Sequence, residues 1–393
     1  MKAVILNWQN GENDPFSFAN KLWQKHLRAF GKNADIIEIT EPGWPTRLTE
    51  LCSDGVEFAL TSQGLGSNVT IGERGESLWD HLRIPLICLH ADHPSHMPSN
   101  HQLESRYCFH LYAFADFARY SNRHFRRLRS AGVFDLPQAF REPRLERREG
   151  DYFVFAKNIN DPIATEKLWQ QQLDKPMFDA YMVASETLKS RLTGESYVDI
   201  HDELDDLINE QNWEWLSPSK NLAGYHKYHS QLDHHLRSHK SVVALAALRE
   251  FPVRIYGRGW DRIVQNAPAH HVFQPGRNMA DSQDLYYTRF GLIDISPSTG
   301  LHDRTLRAMA NGGAFLSSAN LEDSVADIDR FAPLFFDFRT DVLSEKCAAV
   351  LQNPEEHLML ARQFAHFYQD RFHVSHLISK IDLLAKMASS LDI

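Results

Sequence analysis

Residues 291–318 constrain this chain more than any other stretch. Gly291-Leu292-Ile293-Asp294-Ile295 is a short apolar run with strand character, and Ser298-Thr299-Gly300 is a small polar turn. From Leu301 onward, Leu306, Ala308, Met309 and Ala310 suit a helix packed on a sheet. Asn311-Gly312-Gly313 stops that helix, because glycine tolerates the left-handed conformation found at helix C-termini. Ala314-Phe315-Leu316 begins another strand. The order strand, turn, helix, glycine, strand predicts a βαβ unit whose turn lies at a helix N-terminus. Such a turn aims N–H groups and a positive dipole end at whatever binds there, so anions are favoured. Arg304 lies one turn further in and can add a bidentate, charge-assisted contact.

The rest of the chain repeats this alternation. Ala3–Leu6, Asp35–Ile39, Val56–Thr61 and Pro85–His90 read as strands, and Phe16–Phe30, Pro45–Cys52 and Ser77–Arg83 between them as helices. Arg141–Gly150 is charged, with a proline and a glycine, and reads as an exposed linker. A strand at Tyr152–Ala156 follows, then a helical stretch over about 162–250. A second strand series is expected at Val253–Tyr256, His271–Phe273, Leu292–Ile295, Ala314–Ser317 and Leu334–Phe338, with two closing helices at about Glu355–Arg371 and Val374–Leu391. The 393 residues have room for two α/β domains with separate cores. The pattern predicts an N-terminal Rossmann-like domain over 1–145 and a C-terminal one over 151–372, with the helical stretch as an insertion and a last helix within 373–393.

Charge and cysteine usage exclude several classes. The net charge of −9, from 42 basic and 51 acidic residues, argues against a nucleic-acid partner. Cys52, Cys88, Cys108 and Cys347 are scattered without a C-x-x-C pair, which fits reduced thiols in a cytoplasm. The first residues lack the apolar run of a signal peptide, and no stretch approaches the roughly 20 apolar residues that span a bilayer.

A second element, Arg254-Ile255-Tyr256-Gly257-Arg258-Gly259-Trp260, ends a strand in two glycines. Glycine there lets backbone approach a ligand where a Cβ would clash, or simply makes a tight turn. It is not a dinucleotide fingerprint, because the third glycine position is Arg262. Together, the Ser298–Gly312 element and this strand end resemble the donor site of GT-B glycosyltransferases, most of all the bacterial group related to the spore-maturation protein CgeB. Arg304, Ala308, Ala310 and Gly312 match that group's helix, while Arg307 stands where the group has a Glu that holds the ribose hydroxyls. The resemblance implies two Rossmann-like, doubly wound domains facing a cleft, with the C-terminal helix at 373–393 crossing back to the N-terminal domain. It also implies a nucleotide-diphosphate sugar as co-substrate, no other cofactor, and chemistry without a metal. Donor contacts are then expected from Gly257, Arg258, Gly259, Ser298, Thr299, Gly300, His302, Arg304 and Lys157.

The acceptor, a glycan, lipid-linked molecule or protein, falls to the first domain, near Gly64, Gly66 and His96. Leu89-His90-Ala91-Asp92-His93-Pro94-Ser95-His96 follows a strand at its carboxyl end, and Asp92 and His93 are the candidate catalytic residues, taking the proton from an acceptor hydroxyl. The same loop could ligate zinc through His90, Asp92, His93 and His96 only by folding back on itself, and the expectation is no metal. Arg119, Arg123, Arg126, Arg127 and Arg129 suit either a solvated helix face or peripheral contact with an anionic membrane surface. Two other classes stay open: a nucleotide-sugar epimerase or hydrolase of the same fold, and a binding protein without turnover.

Overall fold

The structure is a computed structural model that describes residues 2–8, 15–73, 75–102, 104–126, 130–134, 150–192, 197–277, 288–319, 321 and 328–390. The expected linker at 141–149, Arg127 and Arg129 lie outside the described residues. These residues fall into two compact units, one built from 2–134 and 372–390, the other from 150–277 and 288–371.

The first unit is a parallel sheet of β1 (Lys2–Asn7), β2 (Asn33–Glu38), β3 (Val56–Ser62), β6 (Leu86–His90), β7 (Cys108–Tyr112) and β8 (Gly132–Val133), in the order β2-β1-β3-β6-β7-β8. A small antiparallel pair, β4 (Thr70–Ile71) and β5 (Glu76–Ser77), lies in the β3–β6 connection. Ala3 to Leu6 are all buried, as expected for a parallel strand covered on both faces. The helices are α1 (Pro15–Ala29), α2 (Trp44–Ser53), α3 (Leu78–Leu82) and α4 (Ala115–His124). The last helix, α13 (Val374–Ser389), belongs to this unit. Val374, Leu377, Ile378, Ile381, Ala385 and Ala388 lie in the core that holds β1, β3 and β6. Each such aliphatic side chain contributes about 1.5–3 kcal/mol on full burial, less for alanine. Lys32 donates to Asp382, an ion pair between the start of β2 and α13.

The second unit is a five-stranded parallel sheet of β9 (Phe153–Ala156), β10 (Val253–Tyr256), β11 (His271–Gln274), β12 (Gly291–Asp294) and β13 (Phe315–Ser317). Their order is β11-β10-β9-β12-β13. The chain winds outward from β9 in one direction, then returns to its other side with β12. The carboxyl ends of β9 and β12 therefore flank a topological switch point, the place where open α/β sheets bind ligands. Four helices join β9 to β10: α5 (Pro162–Gln172), α6 (Lys175–Leu192), α7 (Ile200–Glu210) and α8 (Pro218–Ala247). Short α9 (Asp261–Val264) follows β10, and α10 (Asp303–Ala310) joins β12 to β13. Helices α11 (Thr340–Gln352) and α12 (Pro354–Arg371) complete the unit.

Two local expectations fail. Leu334–Phe338 is not a strand: a 3-10 segment, Ile328–Leu334, runs into it, and only one isolated bridge, Ser317 to Phe335, is made. Its apolar residues are buried for another reason. Phe331 and Phe335 pack edge-on against Phe364 of α12, at ring distances of 5.0 and 5.4 Å. The strand β7 lay outside the expected set, because Cys108-Phe109-His110-Leu111-Tyr112 places a histidine inside an apolar run.

Candidate functional site

Lys157 follows β9 directly, and Asp294 ends β12. The two strands pair in register, Phe155 opposite Ile293, so both side chains leave the same edge of the sheet. Asp294 has no exposed side-chain surface and would be costly to bury unpaired. It is held by Arg304, whose Nε donates to Oδ1 at 2.9 Å, and by Thr305, whose Oγ1 donates to Oδ2 at 2.8 Å. Burial alone would raise its pKa. The charges of Arg304 and His302 and these hydrogen bonds outweigh burial and hold the carboxyl below its usual value. The Arg304 guanidinium is therefore tied to a buried carboxylate ten residues earlier.

His302 is the N-cap of α10. Its Nδ1 accepts from the Arg304 backbone N–H at 3.3 Å and lies 2.7 Å from Asp303 Oδ1. Desolvation, then the Arg304 charge, lowers its pKa, against the opposing pull of Asp303 and Asp294. Asp303 also accepts from Arg307, which donates at 2.6 Å. The arginine at the resemblance's glutamate position is thus held by a carboxylate one turn back. Ahead of the helix, Ser296 Oγ donates to the Gly300 carbonyl at 2.6 Å, which closes the loop carrying Ser298 and Thr299. Ser298 is buried, and Thr299 and Gly300 are partly exposed.

Lys157 is partly enclosed. Desolvation first, then the positive charges of Arg304 and Arg237, depress its pKa to about 7, against the opposing pull of Asp294 and Asp233. Arg237 and Asp233 come from α8, where Arg237 Nε donates to Asp233 Oδ1 at 2.9 Å and Nη2 lies 2.7 Å from Oδ2. This pair was not foreseen. Its signal was the Asp-x-x-x-Arg spacing on one helix face, which many solvated helices share. The switch point so gathers three cations, Lys157, Arg237 and Arg304, around two carboxylates, Asp233 and Asp294.

The two glycines after β10 serve the chain itself rather than an open approach. Gly257 has φ +144° and Gly259 φ +87°. A Cβ at Gly257 would sit 2.0 Å from the Lys157 carbonyl oxygen, and one at Gly259 1.9 Å from that of Ile159. Their missing side chains let the loop after β9 lie against this turn. It is fastened there by Ile159 N–H to Arg258 O at 3.0 Å, Arg258 N–H to Asn158 Oδ1 at 2.9 Å and Trp260 Nε1–H to Lys157 O at 2.8 Å. The motif thereby fixes where Lys157 stands.

In the first unit the loop after β6 separates its candidates. Asp92 is partly exposed, and its Oδ2 accepts from Gln63 Nε2 at 2.8 Å. Gln63 is itself held, since Asn100 Nδ2 donates to its carbonyl at 2.9 Å. His93 is buried and caps the short 3-10 turn Pro94–His96, its Nδ1 accepting from the Ser95 N–H at 3.2 Å. It packs edge-on against Phe117 and Tyr120, the setting of a capping histidine. His96 is partly exposed, with its ring 6.1 Å from that of His93. A Cβ at Gly64 would come within 2.9 Å of His90, and one at Gly66 within 2.9 Å of Leu6, so this turn is packed on the sheet. The four-residue metal set weighed from sequence does not assemble. Among the described residues the convergent ligand-type group is instead Cys88, His90 and His110. In α4, Arg119 and Arg123 are exposed, and Arg126 just beyond it pairs with Glu104 at 3.3 Å.

No protein-family model matches the chain, and no curated protein matches it in sequence. Solved structures match it along its whole length. T4 phage BGT in complex with its substrate UDP-glucose superposes with a TM-score of 0.51 at 9% identity, over 100% of both chains. Sucrose-phosphate synthase from Thermosynechococcus elongatus gives 0.52 at 10%, over 99% of both. An alpha-glucosyltransferase in complex with UDP gives 0.52 at 7%, over 98% of this chain and 99% of that one. These are GT-B glycosyltransferases, and the chain has the GT-B fold. No helix among the described residues is long and apolar enough to cross a membrane.

Proposed function

We propose that this protein transfers a sugar from a nucleotide-diphosphate sugar to a hydroxyl acceptor on a glycan, lipid-linked molecule or protein. The observation that carries the reading is the cation cluster of Lys157, Arg237 and Arg304 at the switch point of a Rossmann-like sheet. Asp233 and Asp294 offset Arg237 and Arg304, so the net surplus is about +1 when Lys157 is protonated, and it is this surplus with the guanidinium and backbone N–H donors that would meet a diphosphate and the dianion that leaves. The N-terminus of α10 adds about 0.3–1 kcal/mol for a bound anion, and a charge-assisted bond about 1.5–3 kcal/mol.

In this reading Lys157, the Ser298–Gly300 loop, His302 and Arg304 meet the diphosphate, while Gly257, Arg258 and Gly259 seat the loop that carries Lys157. Leaving-group charge is met by side chains and backbone N–H groups, so the transfer needs no metal. Asp92, held by Gln63, is the base that we assign to the acceptor hydroxyl. His93 acts as its neighbour's cap rather than as a base, and Gly64, Gly66 and His96 belong to the acceptor side. The likeness to the CgeB-related bacterial group, a cytoplasmic setting and a hexose as the moving sugar are part of the same proposal. Acceptors that are nucleic acids are not, given the net charge of −9.

The test is a thermal-shift screen of UDP-, GDP-, TDP- and CMP-sugars, followed by a nucleotide-release assay with and without acceptors. Stabilisation by one nucleotide sugar and acceptor-dependent release are expected. Release at the same rate without any acceptor would reassign the protein to hydrolysis. A second reading, binding without turnover, rests on Arg307, which is paired with Asp303 and cannot accept from ribose hydroxyls. Tight binding with no release across the acceptors would establish it.

A further inference from the structure

The first unit holds a group of side chains that the transfer reaction does not use. Cys88 and His90 occupy alternate positions of β6, and so lie on one face of it. In the neighbouring strand His110 pairs in register with Cys88, and Tyr112 with His90. Parallel strands in register put Cys88, His90 and His110 on the same face of the sheet. They are 0, 1 and 4% exposed. The Cys88 sulfur and one ring nitrogen from each histidine all lie within 4.8 Å of one another. His90 Nε2 and His110 Nδ1 are 2.9 Å apart and share one proton between them.

We infer that Cys88, His90 and His110 form a zinc-binding site, with the cysteine as thiolate and both imidazoles neutral. Zinc takes Cys sulfur at about 2.3 Å and His nitrogen at about 2.0–2.1 Å in a near-tetrahedral set, which requires ligand atoms about 3.3–3.7 Å apart. The two nitrogens, 2.9 Å apart, must separate by about 0.4 Å, and the sulfur must close by up to about 1.3 Å. A thiolate with two imidazoles suits a borderline-soft ion better than magnesium or calcium, which select oxygen. On binding, the thiol proton is released, while the proton between the imidazoles moves to the other nitrogen of its ring, so the ion releases one proton as it enters.

The surroundings are those of a supported site. The ring of Tyr112 stacks on His90 at 4.6 Å and 16°. The ring of His101 covers His90 at 4.5 Å. Tyr112 Oη lies 2.7 Å from His101 Nδ1 and 2.8 Å from Ser121 Oγ, so the covering layer is itself hydrogen-bonded. Such outer contacts fix ring orientation at metal centres. The competing account, a packed histidine pair beside a chance thiol, must bury two imidazoles at diagonal positions of neighbouring strands where aliphatic residues would cost nothing. The ion would tie β6 to β7 just ahead of the loop that bears Asp92. Three protein ligands leave the fourth coordination position to a small exogenous ligand, and the site is independent of the donor reading of the second unit.

The experiment is elemental analysis of the full chain purified from zinc-supplemented cells, then chelation and refilling with cobalt(II). About one zinc per chain is expected, and the cobalt form should show a near-ultraviolet sulfur-to-cobalt charge-transfer band with intense tetrahedral d–d bands. Cys88→Ser should lose that band, whereas Cys52→Ser should keep it. If Cys88→Ser does not fold, X-ray absorption on the wild-type zinc protein decides, with a shell of one sulfur and two or more nitrogens expected. Zinc below about one ion per ten chains with no cobalt band, a shell without sulfur, or a band unchanged in Cys88→Ser would each overturn the assignment.

Discussion

Arg304 and Asp294 form a charge pair at the switch point of the second unit, Nε to Oδ1 at 2.9 Å, with the carboxylate fully buried and the guanidinium 20% exposed. The pair gives Arg304 two roles that substitution should separate. Removing one partner of a buried pair strands the other, which costs about 3–5 kcal/mol when both are fully buried and less here because Arg304 reaches solvent. Arg304→Ala is therefore expected to destabilise the protein by about 2–3 kcal/mol and to weaken nucleotide-sugar binding at least tenfold. In Asp294→Leu/Arg304→Leu no buried charge is left unpaired, so most of the stability should return without the affinity. Chemical denaturation and titration calorimetry read the two effects. If the double variant recovers binding as well, Arg304 does not touch the donor.

Lys157 provides a pH signature. Its pKa is lowered to about 7, chiefly by desolvation and then by Arg304 and Arg237. Above that pH the free site carries a neutral amine, and below it an ammonium. A pyrophosphate favours the ammonium, so binding must take up a proton when measured above pH 7. The expected uptake is about half a proton at pH 7 and close to one at pH 8. Calorimetric titrations in buffers of different ionisation enthalpy measure it directly. Lys157→Met should abolish the buffer dependence, and a wild-type enthalpy that is the same in every buffer would remove Lys157 from the diphosphate site.

What could be read from sequence followed how local each cause is. The strands of both sheets were legible where they are covered on both faces, because Ala3–Leu6 and Leu292–Ile293 then need only apolar residues. The α10 element was legible because its turn, helix and glycine stop lie within 23 consecutive residues, Ser296 to Ser318. Leu334–Phe338 misled because burial against the aromatic side chains of α12 produces the same apolar pattern as a strand. The partners of Lys157 lay beyond reach: Arg237 is 80 positions away, on a helix whose sequence marks it only as long and partly buried. Cys88 and His110 likewise meet only through strand register. The glycines were recognised as a close approach, but what approaches, the chain's own loop at Lys157–Ile159, required coordinates.

Three buried histidines in the second unit set its acid limit. Desolvation leads in lowering each of His226, His235 and His357 to about 4. Their unfolded-state value is 6.5, so above that pH neither state binds a proton and they contribute no slope. Between 6.5 and 4 the unfolded chain takes up protons that the folded chain refuses, and stability falls as pH falls. Each histidine accounts for about 3 kcal/mol at most across that window. Thermal midpoints should therefore drop steeply between pH 6.5 and 4, and below about 4 the fall continues as the unfolded chain protonates carboxyls such as Asp294 that the folded chain holds ionised. His357 Nε2 donates to the Phe315 carbonyl at 3.0 Å, a bond that a glutamine amide can replace. His357→Gln should flatten the decline, and an unaltered slope would show that this histidine does not couple folding to pH.

Asp92 and Gln63 test the first unit's part in turnover. Gln63 Nε2 donates to Asp92 Oδ2 at 2.8 Å, which leaves the second carboxylate oxygen to meet an acceptor hydroxyl. A general base contributes about 10²–10⁴-fold, so Asp92→Asn is expected to lower kcat by at least about a hundredfold. The donor dissociation constant should hardly change, because its contacts belong to the second unit. Gln63→Ala keeps the carboxylate but frees its orientation. It should cost kcat about tenfold, against at least about a hundredfold for Asp92→Asn. Steady-state rates for both variants make the distinction. If Asp92→Asn turns over at the wild-type rate, the base lies elsewhere and the loop after β6 serves only to shape the acceptor side.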